Sequence, residues 1–467
     1  MFITTPKGIP FPMPCLADSI RHIDPSLQEL VVTVEQAASF ATLISAAGQL
    51  AHTLAILLVQ EVLTQRAQQP TEWPRCSKCG TRLQSKGWLP RQLTTLLGVV
   101  RWERRVGRCP HGCKIGQVAP LDEQLGLASH QQTSGELTQV ACALAVFVPF
   151  ETAVALLNRL LPVPVSPSAV WLWVQAYGQR AMQRLQVELQ QLADGQPPVA
   201  EPLDAKTASQ PLLIGADGVM VPFRPAGGQP HGRTRWREIK VAILARLSQR
   251  STRAGKPVTH LEHRRLVAVL GDIDALRPRL WLEAVRQGVC HAKVVVWLSD
   301  GGRGFWNLYA QCFARYALGI LDFYHAAQNI WKGATAWLDG RTTQARAWFD
   351  AMRHSLRHGE SNRVLDELMA TLQLEGLPAS TRETLSQVYT YLQTHREHID
   401  YAKFKELGLP LGSGLVESAC KWLIQQRFKG VGMRWSEDGF NHLLHLRLAW
   451  VNGRFDALFA PALSPNW

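Results

Sequence analysis

A chain of 467 residues is too long for one compact core, so two to four domains are expected, and a hydrophobic content of 46% is ordinary for a protein that folds without help. Fifty Lys and Arg against 37 Asp and Glu leave a net charge of +13, concentrated in segments, which is the footprint of a phosphate-backbone partner. Membrane and secretory classes are set aside: the opening MFITTPKGIPFPMP lacks a signal-peptide core, and the apolar run around 137–157 is broken by Pro149 and Glu151.

Phe40, Leu43, Ala47, Leu50, Leu54 and Leu57 step by three and four, predicting a long amphipathic helix that ends before Pro70, within an N-terminal helical region of residues 1–70. The run is barely three heptads and has no charge pattern to set a partner, which favours packing inside the chain over a dimer seam. Next come CSKC (Cys76, Cys79) and CPHGC (Cys109, Cys113), separated by a strand-like stretch. Two tight cysteine pairs can supply four thiolates to a tetrahedral zinc, with His111 as a substitute for one sulfur, and predict a zinc ribbon over 71–125. Residues 75–114 carry ten basic side chains against one acid, Glu103, so this module reads as DNA-contacting. Nine cysteines, four of them in a metal pattern, fit a reducing cytosol.

Residues 130–192 read as helices: SGELTQVACALAVF, ETAVALLNRLL, a PVPV turn, then SPSAVWLWVQAYGQRAMQRL. Ser166 as cap and Pro167 at the first helical position open the last one, giving a helix-turn-helix whose second helix would present Ser166 and Ser168 to the major groove. Helical hairpins without DNA are equally common, and Trp171 and Trp173 serve as well in a core. Residues 193–210, Pro- and Ala-rich without periodicity, read as a linker. From 211 three β-branched runs are followed by helix, strand, helix and strand, so the chain is a multidomain α/β protein with one mixed sheet over 211–328. A helical insertion fills 329–408, the segment 409–455 returns to the core, and 456–467 is a tail.

Asp217 lies in the first core strand between Ala216 and Gly218, and Asp300 ends the fourth in WLSDGG. In a sheet of this order those strands are neighbours, so two carboxylates 83 positions apart converge. Glu417, in GSGLVES, opens a half-buried helix; it is either a surface charge paired with Lys421 or a third ligand laid against the same sheet edge. Three acids suit a pair of Mg²⁺ or Mn²⁺ ions, which can activate an attacking hydroxyl and stabilise the leaving 3′ oxygen of a phosphodiester.

The ADG, SDGG and GSGLVES blocks, DFYH at 322–325 and the closing RFKGVGMRWS resemble the blocks of bacterial DDE transposases, in the Mutator-like broad group and nearest the ISKra-type insertion-sequence family. The resemblance spans most of 76–455. It implies a ribonuclease H-like core with a helical insertion, preceded by zinc ribbon and helix-turn-helix, and Asp217, Asp300 and Glu417 as the catalytic triad. It matches Asp322 and His325 to a motif after the second acid, where His325 either orients the scissile phosphate or is a satisfied strand-end histidine. Among Trp331, Trp337 and Trp348, one could stack a flipped base while the others fill helix core.

The expected activity is metal-dependent cleavage and transfer of DNA strands at the terminal inverted repeats of the element, on double-stranded end and target DNA. Arg233, Arg235, Arg237 and Lys240 in the basic stretch 224–265, with Arg427, Lys429 and Arg434, are the expected phosphate contacts. Paired ends would call for at least a homodimer. Two rivals keep some of these features: a domesticated, non-cutting DNA-binding regulator, and a ribonuclease H-like repair or junction nuclease. A metal-free binding protein fits least.

Overall fold

The computed structural model describes residues 26–161, 163–225, 232–251 and 257–460. The readings on 1–25, on 461–467 and on Arg253 and Lys256 of the basic stretch lie outside the described residues. The chain forms two compact units, one reaching Trp173 and resuming at Phe459, the other Val174–Leu458.

In the first unit, α1 (Ser26–Glu35) leads to α2 (Phe40–Gln68), whose start is fixed by a reciprocal capping box between Ser39 and Thr42. One side of α2 docks on the hairpin that follows: Gln60 Oε1 accepts from the Arg101 amide at 3.0 Å, and Leu63 packs on Leu93, Val100 and Trp102. The other side is open, with Phe40, Ile44 and Leu58 at 77, 56 and 60% exposure. By length and composition α2 could cross a membrane, a property the sequence reading missed because it weighed only the later apolar run. The hairpin is β1 (Gln84–Thr95) and β2 (Gly98–Arg108), antiparallel, closing at Thr95 and Gly98, the latter at φ 125°. Short α3 (Pro120–Gln124) precedes α4 (Gly135–Phe147), α5 (Phe150–Leu160) and α6 (Pro167–Ala193). Leu137, Ala141, Cys142 and Ala145 on α4 and Ala153, Val154 and Leu157 on α5 are buried at helical spacing, as their sequence pattern requires.

The division between units falls inside α6, at Trp173 and Val174, rather than at the expected linker. That linker is no free tether: the Glu201 amide donates to the Arg286 carbonyl at 2.8 Å, and Asp204 caps a short α7 (Ala205–Ser209). Glu201 also accepts from Arg265 and Arg454, so chain without periodicity is held by charge.

The second unit is built on β3 (Leu212–Phe223), β4 (Arg235–Ser251), β5 (Pro257–Leu270), β6 (Val295–Ser299) and β7 (Ala317–Leu321) in the order β5-β4-β3-β6-β7. β3, β4 and β5 pair antiparallel; β6 and β7 join parallel to β3, as the mixed-sheet reading expected. Between β5 and β6 lies α8 (Ile273–Arg286), capped by Asp272, and between β6 and β7 lies α9 (Arg303–Leu308), which continues as a π turn over Tyr309–Phe313. The central strands are buried on both faces, Leu213, Ile214, Val296 and Trp297 being inaccessible, so their runs are apolar rather than alternating.

After β7 the helices α10 (Phe323–Leu338), α11 (Thr343–Arg357), α12 (Ser361–Leu372), α13 (Ala379–Thr394) and α14 (Tyr401–Glu406) form the insertion. Trp337 and Trp348 meet edge to face at 5.6 Å against the core, and Trp331 meets Phe349 at 5.2 Å. All three are packing residues with only partial exposure. Then α15 (Gly414–Cys420) widens into a π turn over Lys421–Gln425. Such a turn frees carbonyl groups, and the buried Arg447 guanidinium from α16 (Glu437–Val451) takes up those of Trp422 and Leu423 at 2.6 and 2.8 Å.

Candidate functional site

β3 and β6 run parallel in register up to Ala216 opposite Ser299; beyond that pair β6 ends and Asp300 follows it, while Asp217 sits mid-strand on β3, which continues to Phe223. Each carboxylate accepts from a nearby glycine amide: Gly218, next along β3, donates to Asp217 Oδ1 at 2.7 Å, and Gly302, in the turn after β6, to Asp300 Oδ1 at 3.0 Å. Burial pushes the Asp217 carboxyl above its ordinary range, and the charges of Asp300 and Glu417 add to this, while the Gly218 amide and His325 oppose it. Asp300, from the neighbouring strand, lies close enough for its charge to act on Asp217. Glu417 and His325 stand within electrostatic reach of Asp217.

A relay of hydrogen bonds ties these elements together. Ser299 Oγ donates to the Ala216 carbonyl at 3.2 Å, and the Asp322 amide donates to the Ser299 carbonyl at 2.9 Å. The Asp322 carboxylate, 1% exposed, accepts from the His325 amide at 2.9 Å and from the Ser413 amide. It therefore caps α10, which carries His325, and pins the segment that opens α15, which carries Glu417. The sequence matched Asp322 to a motif but gave it no role; its signal was a carboxylate three residues before a histidine at a strand-to-helix junction.

The helix of Glu417 is set by contact as well. Val416 rests directly on Gly215 of β3, where no methyl group would fit, and the Tyr324 ring covers Gly412 in the same way. Glu417 itself is exposed, with Lys421 Nζ 3.9 Å from Oε2, so the surface-pair reading describes its present partner. Among the described residues the three carboxylates do not form a cluster tight enough to hold a single ion. On the other side of Asp300, Gly301 lies under the ring of Tyr391 from α13. Burial, with Asp300 and Asp322 nearby, keeps that phenol protonated well above its ordinary value.

Of the expected phosphate contacts, Arg233, Arg235, Lys429 and Arg434 are exposed. Arg427 is corrected: it is 2% exposed, its guanidinium 5.4 Å from the Trp435 ring, because the helix after Glu417 turns that position inward. Lys240 is also internal in role, paired with Glu238 at 2.7 Å over the Phe305 ring, and Arg237 is engaged by Glu437 at 2.7 Å. A residue not singled out in the sequence joins the exposed cations: Trp236 is 55% exposed, with Lys429 Nζ 5.6 Å from its ring. Its signal was an aromatic residue inside RTRWR.

In the first unit the four thiol sulfurs of Cys76, Cys79, Cys109 and Cys113 lie within 4.8 Å of one another, Cys79 and Cys109 at 3.5 Å. A tetrahedral zinc with Zn–S bonds of about 2.3 Å needs sulfur separations of about 3.8 Å, so the donor set fits. Gly80, just after Cys79, and Gly112, between Cys109 and Cys113, take φ of 71° and 68° and turn the chain at each pair. The Thr81 backbone and hydroxyl, with Cys109 beside them, hold Cys79 down to about 5, whereas Cys113, facing Cys79 and Cys109, is pushed up to about 12. His111 is outside the cluster, its Nδ1 3.4 Å from Thr81 Oγ1. Arg104 of the basic stretch is buried and paired with Asp122 at 3.1 Å, which removes it from any DNA-contacting face. Ser166 caps α6 by accepting from the Ala169 amide at 3.2 Å, and Ser166, Ser168 and Trp171 are exposed. Ser168 is thus free to face a partner, while Ser166 is already engaged in the cap.

No family model matches the chain. A curated relative, the UPF0236 protein in the vanSb 3′ region of Streptococcus gallolyticus, is 24% identical over 383 residues, covering 79% of this chain and 74% of that protein. Among solved structures, the Drosophila P element transposase strand transfer complex is similar with a TM-score of 0.30 at 12% identity, over 69% of this chain and 93% of that one.

Proposed function

We propose that this chain is a DNA transposase with a ribonuclease H-like core, cutting the ends of its own mobile element and joining them to target DNA. The observation that carries the reading is that Asp217 and Asp300 each follow the last paired residue where β6 leaves β3, with the Glu417 helix seated on the same β3. Asp217, Asp300 and Glu417 would hold two Mg²⁺ or Mn²⁺ ions. When bound, these supply an activated hydroxyl and a stabilised 3′ leaving oxygen. Hydrolysis and strand transfer are both in-line displacements at phosphorus, so one site serves both. His325 would hydrogen-bond a phosphate oxygen beside Asp217. Arg233, Arg235, Lys429 and Arg434 would take the phosphates, Trp236 offering a stacking face among them.

The cysteine cluster would hold a structural zinc as a ribbon, and α5 with α6 would act as the helix-turn-helix that reads the ends. One observation favours the non-cutting regulator as a second reading: Glu417 faces Lys421 rather than closing on the two aspartates. Cation binding would have to draw that side chain across.

The test uses DNA bearing the sequences that flank the gene, purified protein and Mg²⁺ or Mn²⁺, comparing wild type with Glu417→Gln in binding and in strand cleavage. Metal-dependent nicks at a defined end, lost in the variant while binding persists, support the transposase. Binding by both proteins with cleavage by neither supports the regulator, and absence of DNA binding removes both.

A further inference from the structure

The exposed side of α2 carries a second apolar stripe, distinct from the one that docks on β2. Ile44, Gly48, Ala51, Ala55, Leu58 and Val62 follow one another at intervals of four, three, four, three and four, the heptad spacing of a coiled-coil seam. All but the half-buried Ala55 are exposed, and no side chain comes within 4 Å of the Cβ position of Gly48. Large apolar groups end the stripe, Ile44 at 56% and Leu58 at 60% exposure, and Leu43, Val59 and Phe40 flank it in the open. Small residues hold its centre, where a partner helix can approach closely. An isolated exposed leucine needs no explanation, but a continuous stripe of this length does.

We infer that α2 is a self-association helix, its open stripe pairing with the same stripe of a second copy of this chain. Three features select that occupant. The stretch Phe40–Gln60 contains no Asp, Glu, Lys or Arg, so nothing repels an identical helix and nothing instructs a charged foreign one. A 29-residue helix is about 43 Å long, and self-pairing along it approaches the roughly 800 Å² per partner of a standard stable interface. The opposite side is already seated on β2 through Leu63 and Gln60, so the helix is not free to be surrounded by lipid. The sequence alone favoured packing inside the chain because the stripe of Leu50 and Leu57 was read without its counterpart on the far side.

The experiment is sedimentation equilibrium of the full chain at micromolar concentrations, wild type beside Ala51→Glu and, independently, Leu58→Gln, with circular dichroism as a control of fold. Both positions are surface sites on a capped helix, so the monomer should fold unchanged. The expected result is a wild-type mass twice 52.1 kDa, with both variants dissociating at least about a hundredfold more readily at unchanged helicity. A monomeric wild type, or dimers that survive both substitutions, would overturn the inference. So would co-flotation of the wild type with phosphatidylcholine vesicles that Ala51→Glu abolishes, since it assigns the stripe to a bilayer. If one variant loses its helicity, the other decides.

Discussion

Gly215 and Val416 touch, strand against helix, with no space for a methyl group between them. Gly215 lies two residues before Asp217 and Val416 one before Glu417, so this single contact sets how closely the third acid approaches the sheet. Gly215→Ala would force α15 outward or strain β3, an overpacking cost of about 1–3 kcal/mol. In the proposed transposase, cleavage should fall by more than tenfold while DNA binding stays within a factor of two. Restoration by a second change, Val416→Ala, would trace the loss to this contact, and equal activity in Gly215→Ala would refute its importance.

Asp322 has no need to touch substrate to matter. Its carboxylate satisfies the amides of His325 and Ser413 in a buried place, and Asp322→Ala leaves both donors unpaired at about 1–3 kcal/mol each. The expected outcome is a lower melting temperature together with a drop in the rate of cleavage beyond what unfolding explains, read at a temperature where the variant is fully folded. Asp322→Asn keeps one acceptor and should recover part of both.

One zinc per chain is expected by elemental analysis, falling to none in Cys109→Ser, with proteolysis of the first unit accelerated and melting of the second unit unchanged. Folding energy in such modules comes largely from the metal, so a Cys109→Ser protein that retains both zinc and protease resistance would sink the assignment.

Glu201 should give the second unit an acid-sensitive stability. Burial pushes its carboxyl up, but hydrogen bonds from Arg265, Arg454 and Gln287 outweigh this and bring it to about 2 against an ordinary 4.5. A depressed folded value means the stabilisation is complete above about pH 4.5 and is lost as the pH falls towards 2. The side chain is 21% exposed, so a contribution on the order of 2–3 kcal/mol is expected. Denaturant melts between pH 7 and pH 2 should show Glu201→Gln less stable than wild type at pH 7, the gap narrowing below about pH 4.5 and closing only near pH 2. A constant gap would assign the effect to packing.

Much of this was legible in the chain. β-branched runs and turn residues marked the core strands, and the order of strands and helices was enough to make the Asp217 and Asp300 strands neighbours, because a strand followed by crossover helices joins a parallel partner. Four cysteines in two tight pairs announced their cluster, since local turns fix the geometry within each pair and the β1–β2 hairpin brings the pairs together. These features depend on short-range periodicity and turn chemistry, which a sequence carries explicitly.

Other features existed only once distant segments met. Whether Arg427 pointed to solvent or inward depended on how the helix after Glu417 lay against Trp435 and Phe440, and a basic residue looks the same either way in sequence. Asp322 became a clasp because Ser413, 91 positions later, came to its carboxylate. The 193–210 segment looked like a tether because its anchors, Arg265, Arg286 and Arg454, are far along the chain. The α2 helix was predicted from one stripe, yet which stripe faces protein and which remains open was decided by β2. Local pattern determines what an element is; its partners, through burial and the pairing of charge over long separations, determine what each side chain is left to do.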